Sequence, residues 1–167
     1  TPFFGEESLF QACLRRCQGD AFADPVVLSH ADFRFLAAEQ ISAVGIERAT
    51  ILLEPEARNT APAILAAALH LAGQGRGSEL MLVAPSDHVI GDVPAFLEAV
   101  SAGQPAAEAG QLVSFGIRPN RAETGYGYLE VDTADTSVPV ATPVIRFVEK
   151  PDAARAEAMF AEDRFLW

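Results

Sequence analysis

The chain has 167 residues, half of them hydrophobic, and its 12 basic and 23 acidic side chains give a formal charge of −11. This length suits one domain that buries roughly 70% of its unfolded surface around a single core. The acidic balance, with no Lys/Arg run, argues against a nucleic-acid partner, and the longest apolar stretch, Ala61 to Leu71, is broken by His70 and falls short of the roughly 18 residues of a membrane span.

"TPFFGEESLF" shows neither a basic region nor a small-residue cleavage site, so no leader is expected and a cytoplasmic protein is. Ser8 precedes Leu9, Phe10, Cys13, Leu14 and Cys17 at helical spacing, which predicts an amphipathic first helix. Two cysteines make neither a disulfide framework nor a structural zinc site, and they read as free thiols in a reducing compartment. "PVVLSH" is a short apolar run after Pro25, "ADFRFLAAEQISAV" returns to helical period until Gly45, and "ATILLEP" predicts a buried strand closed by Pro55. Asn59 then caps a helix, "APAILAAALHLA", with Pro62 in its first turn and an end at Gly73.

"LMLVA" predicts a further buried strand, and "VPAFLEAVSAG" the helix behind it with "QPAAEAG" as a tail or linker. "LVSFGI" predicts another strand. After it the pattern changes, because "YGYLEV" and "VIRFVEK" are separated by polar turns rather than a helix, and "DAARAEAMFAED" closes the chain as a helix. Strands alternating with helices predict a three-layer, Rossmann-like α/β fold with a mixed, mostly parallel sheet and an antiparallel excursion near the C-terminal end. No internal repeat or low-complexity tract is present.

In an open α/β sheet, ligands gather outside the carboxyl ends of the strands. Three polar groups follow strands here: Glu54 to Thr60, Pro85 to His88, and Glu149 with Lys150. Each taken singly also reads as a helix cap or a solvated turn. Asp87 is a strand-end carboxylate of the sort that holds Mg²⁺ together with substrate phosphates, and His88 reads as a packing group or a support for that ligand. Arg58 brings forked donors, Asn59 an amide, and Thr60 the free backbone amides of a helix start, a set that suits a nucleotide. Glu149 can accept from sugar hydroxyls and Lys150 can meet a phosphate, provided a twist near Pro151 turns both to one side. Gly125 and Gly127 would let a flat ligand approach the backbone, or form an ordinary bend.

"EPEARNTAPAI", "APSDHVI", "TGYGYLE" and "FVEKPD", in this order and at these separations, resemble the mannose-1-phosphate guanylyltransferases of the nucleotidyltransferase superfamily, in particular the bacterial ones often fused to a mannose-6-phosphate isomerase. The resemblance runs from about Glu6 to Trp167. It implies a nucleotidyltransferase fold and transfer of GMP from GTP to mannose 1-phosphate with Mg²⁺, giving GDP-mannose and pyrophosphate for polysaccharide biosynthesis. Carried over by motif, Glu54, Arg58, Asn59 and Thr60 belong to the nucleotide side, Asp87 is the metal ligand and a catalytic residue, Gly127 and Glu149 meet the mannose, and Lys150 is catalytic beside its phosphate.

Two departures accompany the match. The family's GGxGTRLWP-type phosphate loop has no counterpart in "TPFFGEESLF", and its later sugar-binding Asn-x-Gly segment and second metal aspartate would fall after Trp167. The expectation is therefore a partial catalytic domain over residues 1–167, incomplete at both ends, with its activity in isolation and its assembly into a homo-oligomer both open. A non-catalytic nucleotide-sugar binding or regulatory module, or a related sugar-1-phosphate nucleotidyltransferase, is the alternative.

Overall fold

Local chemistry sets most element boundaries. In the computed structural model, which describes residues 7–56, 59–132 and 141–167, α1 spans Leu9–Arg16 and starts in a capping box: the Ser8 hydroxyl accepts from the Gln11 amide at 3.1 Å while the Gln11 side chain accepts from the Ser8 amide at 2.9 Å. Two of the helix's otherwise unpaired groups are thereby satisfied. Strand β1, Val26–His30, leads into a 3₁₀ turn at Ala31–Phe33 and then α2, Arg34–Ala43, which ends where Gly45 takes φ +79°. Strand β2 is Thr50–Glu54, and α3 is Thr60–Gly73.

The chain divides into two compact units, Thr1–Gly91 and Asp92–Trp167. In the first, β1 and β2 pair in parallel with Val26 beside Thr50 and His30 beside Glu54. The α2 crossover makes that pairing feasible, since parallel strands cannot be joined by a tight turn. Leu14, Val27, Ile41 and Val44 are buried together, with Phe10, Ile46 and Ile51 packed against them, so α1 and α2 cover the strand pair with one apolar stripe.

In the second unit α4 spans Val93–Glu108, and the Asp92 carboxylate caps it by accepting from the Ala95 amide at 2.9 Å. The helix runs past Gly103, where the sequence predicted its end, and through Pro105. Gly103 is buried because the 112–117 segment comes close: a Cβ there would lie 3.0 Å from Val113. Strands β3, Tyr128–Val131, β4, Val144–Val148, and β5, Phe165–Leu166, form an antiparallel sheet in the order β4-β3-β5, which is the expected excursion. Between them α5, Ala153–Phe160, is capped by Asp152. Tyr128, Val148, Ala156, Met159 and Phe165 form this unit's own core, so two separate clusters take the place of the single core expected.

The α/β class and the presence of a parallel sheet match expectation, but among the described residues the strands form two sheets, a parallel pair and a separate antiparallel trio, rather than one mixed sheet. "LMLVA" at 80–84 belongs to no strand ladder, and Leu80 and Val83 are exposed. Segment 112–117 gains only one reciprocal pair, Ile117 N–H to Trp167 O and Trp167 N–H to Ile117 O, each 2.8 Å. Apolar residues mark a segment as fit for burial, whereas a strand also needs neighbouring backbone to satisfy its own. No helix among the described residues is long and apolar enough to cross a membrane.

Candidate functional site

In the first unit, Glu54 is the last residue of β2, at the carboxyl end of the parallel pair. Asn59 precedes α3 with φ 65° and ψ −175°, a left-handed backbone in which a non-glycine residue is uncommon. Its side chain makes no cap bond, and Thr60 opens the helix. Glu54, Asn59 and Thr60 thus share one short connection; Arg58, the other residue predicted for it, lies outside the described residues.

Asp87 sits in a separate turn at Ser86–Asp87 of the same unit, with its side chain exposed. His88 is exposed too, so the packing role expected of it falls away. The turn is tied to α1 by the Cys13 thiol, which donates to the Pro85 carbonyl at 3.5 Å. Among the described residues no group of three or more His, Cys, Asp or Glu could cage a metal. A lone carboxylate of this kind fits a cation that retains waters and takes further oxygens from a phosphate ligand, which is the habit of Mg²⁺.

The second unit brings its predicted residues together. Tyr128 pairs with Val148 across β3 and β4, and the same register sets Gly127 against Glu149. A Cβ on Gly127 would run into the Phe147 ring and lie 3.2 Å from a Glu149 carboxylate oxygen, so only glycine lets that ring pack this close to the backbone. β4 ends at Val148, after which Lys150 adopts φ 40°. That turn defeats the strand alternation that would send neighbouring side chains to opposite faces: the Lys150 ammonium lies 3.6 Å from the Glu149 carboxylate, both well exposed. So exposed a pair gains little by itself and leaves each group available to a ligand.

The "ETGYG" loop beside these residues is held from beneath. Tyr128 is fully buried, and its hydroxyl accepts from the Glu123 amide at 2.9 Å and donates to the Glu123 carbonyl at 3.0 Å. The Glu123 carboxylate accepts from the Gly125 amide at 3.0 Å and from Arg121 at 3.1 Å; the Gly125 bond, then Arg121, hold its carboxyl below the usual range. Trp167 meets Tyr126 and Tyr128 edge-on, at 5.2 and 6.4 Å between ring centres, and Arg121 lies over its face. The sequence reading missed Tyr128 as the anchor of this loop. Its signal was present, because Tyr126 and Tyr128 both belong to "YGYLEV" and a tyrosine buried in a strand needs a partner for its hydroxyl.

A parallel strand pair whose carboxyl end leads to a helix start, and, farther along the chain, an antiparallel sheet with a glycine facing a carboxylate, define an α/β protein. The family described as Nucleotidyl transferase matches residues 1–167, and the chain belongs to it. The chain is 48% identical over 166 residues to the xanthan biosynthesis protein XanB of Xanthomonas campestris pv. campestris, covering 99% of this chain and 34% of that protein. It is 43% identical over 165 residues to a mannose-1-phosphate guanylyltransferase of Klebsiella pneumoniae, covering 98% of this chain and 35% of the relative. Among solved structures, one described as mannose-6-phosphate isomerase from Helicobacter pylori is similar with a TM-score of 0.82 at 27% identity, covering 99% of this chain and 61% of that one. The chain spans about a third of the length of the curated relatives it matches.

Tyr128→Phe keeps the ring and removes both hydroxyl bonds, leaving the Glu123 amide and carbonyl short of a partner. We expect a loss of about 1–3 kcal/mol in urea denaturation and faster amide exchange confined to 123–127. Unchanged exchange in that loop would show that the hydroxyl does not anchor it.

Proposed function

We propose that the protein transfers GMP from GTP to mannose 1-phosphate, yielding GDP-mannose and pyrophosphate. The observation that carries this reading is the match over 98% of the chain to a relative named mannose-1-phosphate guanylyltransferase. The position of Glu149 beside Gly127 supports it, since an exposed carboxylate is a ready acceptor for sugar hydroxyls. A cytoplasmic setting, where GTP and sugar phosphates are available, goes with the reading.

In the proposed reaction a phosphate oxygen of mannose 1-phosphate attacks the α-phosphorus of GTP. The new P–O bond forms as the bond to the β-phosphate oxygen breaks, and pyrophosphate leaves. The sugar phosphate is already an anionic nucleophile, so no general base is needed; the protein's work is alignment and charge neutralisation. Glu54, Arg58, Asn59 and Thr60 would hold the nucleotide, the backbone amides at the start of α3 serving phosphate or base oxygens. Glu149 would accept from mannose hydroxyls beside Gly127. Lys150 would lie against the phosphate and offset charge as it concentrates in the transition state. Mg²⁺, if held by Asp87, would supply positive charge for the reacting phosphates and the leaving group.

Comparing the four nucleoside triphosphates with mannose 1-phosphate, using the intact protein, tests the overall reading. GTP should be preferred; equal use of TTP would instead favour a related sugar-1-phosphate nucleotidyltransferase, and no turnover with any of them a binding module. Asp87→Asn should cut turnover at every magnesium concentration while leaving thermal stability unchanged, because the side chain is exposed. Normal rates in that variant would remove Asp87 from the site.

Glu149 and Lys150 should separate kinetically. Losing a hydroxyl acceptor costs about 1–3 kcal/mol, which appears as a roughly 5- to 150-fold rise in KM for mannose 1-phosphate in Glu149→Gln. Lys150→Met should chiefly lower kcat, the mark of an interaction made mainly in the transition state. Identical profiles for the two variants would defeat the division of labour.

A further inference from the structure

Cys13 and Cys17 take no part in the proposed site, yet they occupy one face of α1 at a spacing of one turn. The Cys17 side chain one turn on is the main reason the Cys13 thiol is drawn down to about 7; burial opposes the shift and the Arg16 guanidinium assists it. The Cys17 thiol is raised in return, chiefly by its Cys13 neighbour. Cys13 is buried and Cys17 partly so, and Cys13 also reaches the Pro85 carbonyl at 3.5 Å. One thiol pair therefore joins a helix to the loop that carries Asp87.

We infer that Cys13 and Cys17 are an oxidisable dithiol that closes to a disulfide within α1 and, in closing, lets go of the Pro85 carbonyl. On an ideal helix, residues four apart have Cβ atoms about 5–6 Å apart, and a disulfide needs about 3.5–4.5 Å. In mid-helix that gap would be hard to close. Here Cys17 is the C-terminal cap, its amide already turned to Leu14 and Arg15, and Gly19 just beyond has φ +109° with open space around it. The last turn can tighten without disturbing the capping box at the other end. Once its sulfur is bonded to Cys17, Cys13 has no S–H left to donate, and segment 85–88, which is in no strand ladder, loses that tie to α1.

The oxidant is a peroxide. The Cys13 thiolate attacks one oxygen of H₂O₂: an S–O bond forms, the O–O bond breaks, and hydroxide leaves to take up the proton that Cys13 released. The Cys17 thiolate then attacks the sulfenic sulfur: the S–S bond forms, the S–O bond breaks, and hydroxide leaves to be protonated by the proton from Cys17. Two thiols give up two electrons and two protons, and H₂O₂ becomes two waters. The consequence for turnover rests on the reading of Asp87 given above; the disulfide itself does not.

The test is peroxide treatment of the protein followed by intact mass, iodoacetamide alkylation and peptide mapping. The expected product has lost two hydrogens, carries no added oxygen, resists alkylation at both cysteines and regains both sites with dithiothreitol. Cys13→Ser and Cys17→Ser should instead gain oxygen on the remaining sulfur; Cys17, partly exposed at the helix end, keeps the comparison available if the buried substitution does not fold. Two alkylatable thiols after peroxide, oxygen addition in the wild type at the rate seen in the single variants, or a disulfide between two copies of the chain would overturn the proposal. Amide exchange at 86–90 should rise in the oxidised form, and unchanged exchange there would overturn the link to Pro85. A failure of Asp87→Asn to alter turnover would leave these mass and exchange outcomes untouched, so the two readings fail separately.

Discussion

The second unit depends on a register. Tyr128 lies opposite Val148, which puts Gly127 across from Glu149, and a shift of one residue would turn the whole edge over, because strand side chains alternate faces. The register is pinned from both sides of β3. Tyr128 is sealed in the core with its hydroxyl engaged, and Glu130, two residues on and also buried, is paired with Arg146 of β4 and with Arg164 just before β5. A buried carboxylate cannot slide away from its guanidinium partners without being left uncompensated. The alignment of the proposed sugar residues is thus inherited from groups that have no part in chemistry.

An acidic chain proposed to bind anions faces a physical tension. The formal charge of −11 opposes the approach of GTP and of a sugar phosphate alike. Screening reduces that opposition to within about 8–10 Å at ordinary ionic strength, so what decides binding is what stands within that distance. The helix start at Thr60 and the Lys150 ammonium are local positive features of this kind. With the bulk field unfavourable, recognition of the proposed substrates has to come from short-range geometry.

Much of this organisation could be read from the residues. Ser8 caps α1 through its side chain, and Pro25 and Pro55 bracket the strand pair, because these residue types act on their own neighbours whatever lies farther off, although Asn59, also read as a cap, opens α3 without a side-chain cap bond. Gly127 and Glu149 were selected by motif and lie face to face. What could not be read depended on partners distant in sequence. "LMLVA" has the composition of a buried strand but no ladder, and Gly103 looked like a helix end because its contact with Val113 is invisible locally. The convergence of Glu149 and Lys150 was left conditional on a twist before Pro151. It comes from the backbone of Lys150 itself, in a conformation that propensity alone would not assign to lysine before proline.

That backbone bears on any effort to make the protein more robust. A lysine at φ 40° is held where glycine or asparagine would sit with less strain. Screens for thermal tolerance should therefore favour Lys150→Gly or Lys150→Asn, and each gain would discard an ammonium group in exchange for an easier turn. Heat resistance and turnover would then be selected in opposite directions at a single position, and a consensus drawn from stability alone would erase the residue.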